Sequence, residues 1–290
     1  NLKDIEGLVL GQVLTSGLGM NTARQVALKS GMQQSSFAYV VNQVCGSGMR
    51  AAIDGATKIF TSEADLILAG GQESMSRARH AYLSRTGEKK LGNNIFIDTL
   101  VNDGLTDAFS KEHMGITAEN VSRKYTVTRQ EQDLFAYQSY VKTYKAIKNK
   151  YFKNEMIKSD YKDQVRSDTT LIKLNQLNAV FKKSGTVTAG NASSLNDGAA
   201  FMMLASADFV KANKIKPLAK VLDWSASAGN PDLMGITPIT AIQKLMKKMS
   251  VNINFFDLIE INEAFAATSI AVQRVLEIDP NKLNIAGGAI

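Results

Sequence analysis

At 290 residues the chain is long enough for one large α/β body or two fused domains. Hydrophobic residues make up 44% and charged residues 21%, with 21 Gly and only 4 Pro, which excludes a disordered or fibrous protein. The net charge of +7 rests on Lys-rich stretches at 142–153 and 211–220 that read as solvated helix faces; no basic stripe with interleaved aromatics points to nucleic acid. No apolar run reaches the ~18 residues of a membrane helix, so no membrane partner is expected. One cysteine excludes an internal disulfide framework and fits a reducing compartment.

Strand-like apolar runs alternate with helical patterns, which predicts an α/β fold with a parallel or mixed sheet. Residues 5–14 read as a strand, 21–29 as a helix, and 37–44 as a strand running into Cys45. A helix over 49–60 and a buried strand over 64–69 follow, the latter ending at Gly70-Gly71. Residues 77–105 are long, polar and mixed in pattern, as an insertion or lid would be. Thr128 and Glu131 form a capping box opening a long helix whose Leu134, Phe135, Val141 and Tyr144 share one face. Residues 158–168 read as polar loop and 199–204 as a strand. Thr237-Pro238 reads as the N-cap and first-turn pair of a helix to residue 248. Residues 4–13 and 254–263 echo each other, each a polar start, an apolar strand and then an amide side chain, Gln12 or Asn262.

The segment VNQVCGSGMRA at 41–51 carries the chemistry. A thiol between a strand and a helix sits near orphan helix N–H groups, whose positive potential favours the thiolate. The flanking glycines open the approach to a substrate, as nucleophilic acyl transfer needs. A lone cysteine is as readily a buried structural thiol, and the segment by itself leaves that alternative open. Cysteine, histidine and carboxylates do not cluster at metal-ligand spacing, so no metal is expected.

VCGSGMRA resembles the nucleophile motif of the thiolases, and four further segments resemble that family in its order. These are AGGQESMS at 69–76, DGLTDAF with HMGITAEN between 103 and 120, GTVTAGNASSLNDGAA at 185–200, and EINEAFA at 260–266. The resemblance implies a thiolase-like α/β fold, two similar βαβ-type halves in a layered αβαβα core with an inserted lid. On this reading 1–76 is the N-terminal half, 77–200 the insertion with its return to the core, and 201–290 the C-terminal half. It implies that Cys45 carries the acyl group as a thioester and that Asn262 holds a water stabilising the thioester enolate. It places Leu105, His113, Met114 and Phe181 beside the pantetheine of CoA and Ser193 on its amide. Ala264 and Phe265 would line the acyl pocket, and Arg166 would meet the nucleotide end. His113 is expected to pack against CoA rather than act as a base, and His80 to be plain surface.

The implied reaction is Claisen condensation of two acetyl-CoA to acetoacetyl-CoA and CoA, or the reverse thiolysis. Met114 in its HMG setting favours the short chain. The CoA thioester is the substrate and no cofactor is expected; the implied assembly is a homotetramer or homodimer, with 77–105 at the tetramer contacts. A cytoplasmic setting is expected, with an organellar targeting segment ahead of Asn1 as the alternative. In the family a GHP histidine and a later Cys-x-Gly segment follow the GGAI found here at 287–290, and a strand and helix precede the first motif. Nothing in 1–290 matches these, so the sequence reads as truncated at both ends and without an evident base for Cys45. The segment 154–168 also reads as shorter than the family's. The alternatives are a β-ketoacyl synthase-like enzyme, a non-catalytic thiolase-like CoA or lipid binder, and a cysteine hydrolase.

Overall fold

The computed structural model describes residues 1–83, 85, 91–157 and 165–290. Strand β1 (Gly7–Gly11) is followed by helix α1 (Thr22–Lys29), β2 (Phe37–Val41), α2 (Ser47–Phe60) and β3 (Leu66–Ser74). A short pair, β4 (His80–Ala81) and β5 (Ile97–Asp98), precedes a π-helical turn at Leu100–Leu105. Helices α3 (Met114–Lys124), α4 (Arg129–Lys148) and α5 (Leu171–Asn175) come next. Strand β6 (Asp197–Ala205) and helices α6 (Ala207–Ala212), α7 (Thr237–Met249) and α8 (Ala266–Val275) complete the order. These elements fall into two compact units, Asn1–Ala108 with Leu195–Leu222, and Phe109–Ser194 with Asp223–Ile290.

The first unit is built on a sheet of order β2-β1-β3-β6, with β1 parallel to both neighbours and β6 antiparallel to β3. Every residue of β1 is buried because both faces of the sheet are covered. Leu8 and Leu10 meet Ala23 and Ala27 of α1, while Val9 packs with Ala51 of α2 and Ile67 of β3.

Several boundaries differ from the sequence reading. β1 stops at Gly11 rather than 14, because the Val13 and Leu14 amides donate to Glu73 Oε2 at 2.8 and 3.3 Å instead of to a strand. β2 stops at Val41 rather than 44, because the Val44 amide donates to Asn42 Oδ1 at 2.9 Å within a turn. β3 runs through Gly70-Gly71 to Ser74 instead of ending there. Gly70 serves close strand packing, since a Cβ there would sit 2.2 Å from the Ala200 carbonyl oxygen of β6. Part of the expected lid (84 and 86–90) and of the expected polar loop (158–164) lies outside the described residues.

In the second unit the capping box forms, with the Thr128 amide and hydroxyl each 2.8 Å from Glu131 Oε2. The buried face of α4 is only in part the apolar one expected. Phe135 packs against two core clusters, but Leu134, Val141 and Tyr144 are exposed, while Gln132, Asp133, Ala136, Ser139 and Ala146 are buried. The buried polar groups find distant partners. Gln132 Nε2 donates to Thr186 Oγ1 at 2.9 Å, Asp133 accepts from Arg129 Nε and Asn191 Nδ2 at 2.8 and 2.9 Å, and Ser139 Oγ donates to Glu263 Oε2 at 2.6 Å. α8 is buried without a break from Ala266 to Val272, between clusters that include Val127, Ala136 and Leu174 on one side and Ile239, Leu276 and Leu283 on the other.

α7 has Ile236 at its cap position and Thr237 as its first helical residue, the Thr237 hydroxyl donating back to the Met234 carbonyl. Of the two echoing segments only 4–13 supplies a strand. Segment 254–263 makes one parallel bridge, Ile259 to Leu283. The Asn284 side chain takes up both polar backbone groups of Ile261, at 2.8 and 2.9 Å, that a neighbouring strand would have paired. No helix among the described residues is long and apolar enough to cross a membrane.

Candidate active site

Cys45 lies at the tip of the turn from β2 to α2, two residues before the helix, and is exposed. The turn forces Val44 to φ +49°, a conformation that costs a β-branched residue roughly 1–3 kcal/mol and must be held by its surroundings. Ser47 does much of the holding. Its hydroxyl accepts from the Gln43 amide at 2.8 Å and donates to the Val44 carbonyl at 2.6 Å. The first turn of α2 then beds onto the sheet where side chains are absent. A Cβ on Gly11 would fall 2.4 Å from the Ser47 carbonyl carbon, and one on Gly71 would fall 3.3 Å from Gly48 Cα.

The helix end was expected to lower the thiol's pKa. Burial instead dominates and pushes the Cys45 thiol up, against a backbone hydrogen bond at Cys45 that lowers it. On this direction the position beside the helix end does not by itself favour the thiolate.

Most residues expected beside CoA come together in the second unit. His113 stacks on Phe181 with ring centroids 4.7 Å apart, and Phe181 meets Phe265 edge-on at 6.1 Å. Met114, Ala192 and Ala264 pack on the same cluster, over buried Ala118, Val187 and Phe265. His113 also caps α3, its Nδ1 accepting from the Gly115 amide at 3.0 Å, which leaves Nε2 as the nitrogen that carries the proton. Burial pushes its pKa down, so the ring is neutral at pH 7. Position 115 has to be glycine here, because a Cβ would fall 2.2 Å from the Phe181 ring.

Ser193 is bound to this cluster through its amide, which donates to the Ala264 carbonyl at 2.9 Å, beside a bridge between Ala192 and Phe265. Asn262 precedes the fully buried Glu263 and is itself exposed, with no hydrogen bond to its side chain among the described residues. Leu105 is half-buried in the first unit, at the end of the π-helical turn. Arg166 is exposed in the second unit; Lys173 and, more weakly, Arg166 hold Asp168 below the usual carboxylate range. His80 is exposed on β4. Among the described residues no three His, Cys, Asp or Glu side chains could together hold a metal.

Residues 1–208 match the family described as "Thiolase, N-terminal domain", and residues 215–290 match "Thiolase, C-terminal domain". The chain belongs to the thiolase family. The acetyl-CoA acetyltransferase of Rhizobium meliloti (strain 1021) is 44% identical over 298 residues, covering 99% of this chain and 76% of that protein. A probable acetyl-CoA acyltransferase of Staphylococcus aureus (strain COL) is 42% identical over 303 residues, covering 100% and 77%. Among solved structures, the Bacillus anthracis acetyl-CoA acetyltransferase superposes with TM-score 0.94 at 34% identity, covering 100% of this chain and 76% of its own. The Acat5 thiolase from Ascaris suum in complex with coenzyme A gives 0.95 at 35%, covering 100% and 77%. These findings fix the α/β fold as that of a thiolase and decide for thiolase against the synthase, hydrolase and non-catalytic alternatives.

Sequence reasoning passed over the buried polar residues that brace this thiolase. Glu119 accepts from the Thr186 amide at 2.8 Å and the Val187 amide at 2.8 Å, tying segment 185–188 to α3. Asn191 is wholly buried, bonded to Asp133 and to the Thr188 amide. Asn191 and Glu263 sat inside the quoted motifs and could have been found there. Asp133 had no such signal.

Proposed function

We propose that this thiolase is an acetyl-CoA C-acetyltransferase, condensing two acetyl-CoA to acetoacetyl-CoA and CoA or running the reverse thiolysis through an acyl-Cys45 intermediate. The observation that carries the reading is Cys45 itself, an exposed thiol at the tip of a constrained strand-to-helix turn cleared by glycines. The names of the R. meliloti and B. anthracis relatives support the acetyl substrate.

In the first half-reaction the Cys45 sulfur, losing its proton to a base, attacks the acetyl carbonyl; the C–S bond to CoA breaks and CoA leaves as the thiol. A second acetyl-CoA then loses an α-proton, and its enolate carbon attacks the acetyl-Cys45 carbonyl, releasing the cysteine and acetoacetyl-CoA. Asn262, with its side chain free, would hold the water that stabilises the enolate oxygen; an enolate in bulk water is too costly to form unaided. His113, Met114, Phe181, Ser193, Ala264 and Phe265 would receive the pantetheine and acyl group. Leu105 would add to the pantetheine contacts and Arg166 would meet the nucleotide end. In the family the proton transfers fall to a histidine and a second cysteine that no residue of 1–290 matches. No cofactor beyond CoA enters this scheme. A cytoplasmic homotetramer or homodimer completes the reading, and the lone free cysteine suits that compartment.

The test is acetoacetyl-CoA thiolysis by the natural full-length protein, followed through loss of the Mg²⁺–enolate absorbance. Cys45→Ser should abolish turnover, since serine is scarcely ionised and its ester is a poorer electrophile. Turnover by Cys45→Ser near the native rate would refute the assignment.

A further inference from the structure

Glu263 is 1% exposed, one of the most deeply buried ionisable groups in the chain, and the scheme above gives it no task. A buried carboxylate is retained only if its oxygens are well satisfied. Oε2 accepts from Ser139 Oγ at 2.6 Å and from the Ile290 amide at 3.3 Å, and Oε1 accepts from Asn284 Nδ2 at 2.8 Å. The donors come from three stretches of chain, namely α4, the segment that bridges Ile259 at Leu283, and the irregular glycine segment at 287–290. That segment passes directly over the carboxylate: a Cβ on Gly288 would fall 2.2 Å from Glu263 Cδ, and the Gly288 amide donates to Ser139 Oγ at 3.1 Å.

Asn284 links this network to the other side of Asn262. The side chain that donates to Glu263 also accepts from the Ile261 amide at 2.8 Å and donates to the Ile261 carbonyl at 2.9 Å. The backbone before Asn262 and the side chain after it are thus tied to the same buried amide. Asn262 alone in this stretch is left exposed and unbonded among the described residues. A side chain that must hold one water in one place gains from such immobility, because a misplacement of about 1 Å can cost 10²-fold in rate.

We propose that Glu263 is a positioning residue for Asn262, its carboxylate locking residues 261–263 to Ser139, Asn284 and the 287–290 segment so that the Asn262 amide is presented in a single orientation. This rests on the enolate-stabilising role given to Asn262 above. Glu263→Gln keeps the volume but turns one acceptor into a donor facing a donor.

The experiment is a double-mutant cycle on thiolysis by the natural full-length protein, with melting temperature measured for each variant. Asn262→Ala should lower kcat about 10²-fold, the scale of one oxyanion donor. Glu263→Gln should lower kcat about 10-fold or more with the KM for acyl-CoA within about twofold, the signature of lost transition-state stabilisation. In the Asn262→Ala background Glu263→Gln should cost nothing further. Ser139→Ala should show a smaller loss that likewise vanishes in that background, and it carries the test if Glu263→Gln does not fold. Native turnover by Asn262→Ala would overturn the Asn262 reading. A slow Asn262→Ala with additive losses, or an unchanged kcat in Glu263→Gln, would overturn the role given to Glu263 alone.

Discussion

His113 holds two relationships at once, stacking on Phe181 and capping α3 through Nδ1. The cap needs the neutral ring, since Nδ1 accepts there, and burial keeps its pKa below the ordinary value of 6.5. The unfolded chain therefore takes up this proton before the folded one does. The contribution of His113 to stability is whole above the ordinary value and is lost as pH falls through the folded pKa. An NMR titration of the His113 ring should show a midpoint below 6.5, and His113→Asn should flatten the acid limb of the stability–pH curve. A midpoint above the ordinary value would mean that the protonated ring is the favoured form in the fold, and would contradict the capping role of Nδ1. Cys45 is displaced the other way, so its alkylation by iodoacetamide should rise with pH to a midpoint above that of a free cysteine when no base is engaged. A midpoint below it would restore the helix end as the activating influence.

The β2–α2 connection works as an element because α2 lies close on the sheet. Gly11→Ala would drive a methyl into the Ser47 backbone, and relief would have to come from the turn that carries Cys45. Overpacking of this kind costs about 1–3 kcal/mol. Thiolysis should fall more than the melting point suggests, whereas a variant with native kcat would show that the turn and α2 move independently. β1, α1, β2 and α2 were legible in the sequence because each carries a clean apolar period and meets the sheet through local contacts. The thiol-bearing turn was legible for the same reason, although not Val44's strained φ, which Ser47 holds from within the turn. The inner face of α4 was not legible. Apolar periodicity pointed to Leu134, Phe135, Val141 and Tyr144, of which only Phe135 packs inward, while the helix buries Asp133 and Ser139 against Asn191 and Glu263, 58 and 124 residues away in sequence. Such pairs leave no local pattern, and the same holds for Asn284, whose amide stands in for a strand along 254–263.

At the scale of the molecule, the net charge of +7 on residues 1–290 would meet, in a CoA thioester, a substrate that carries several phosphate charges. Long-range attraction of this kind acts on encounter and is screened within roughly 8–10 Å at physiological salt. kcat/KM for the CoA thioester should therefore fall as ionic strength rises, with kcat nearly constant; a salt-independent kcat/KM would confine recognition to short-range contacts. Condensation and thiolysis alike, in the reaction proposed, pass through one covalent intermediate on Cys45. The natural full-length protein should be incubated with acetyl-CoA, quenched in acid, digested and examined by mass spectrometry. One acetyl group is expected on the peptide bearing Cys45, removed by added CoA and absent from Cys45→Ser. An unmodified Cys45 peptide in protein that is turning over acetoacetyl-CoA would contradict it.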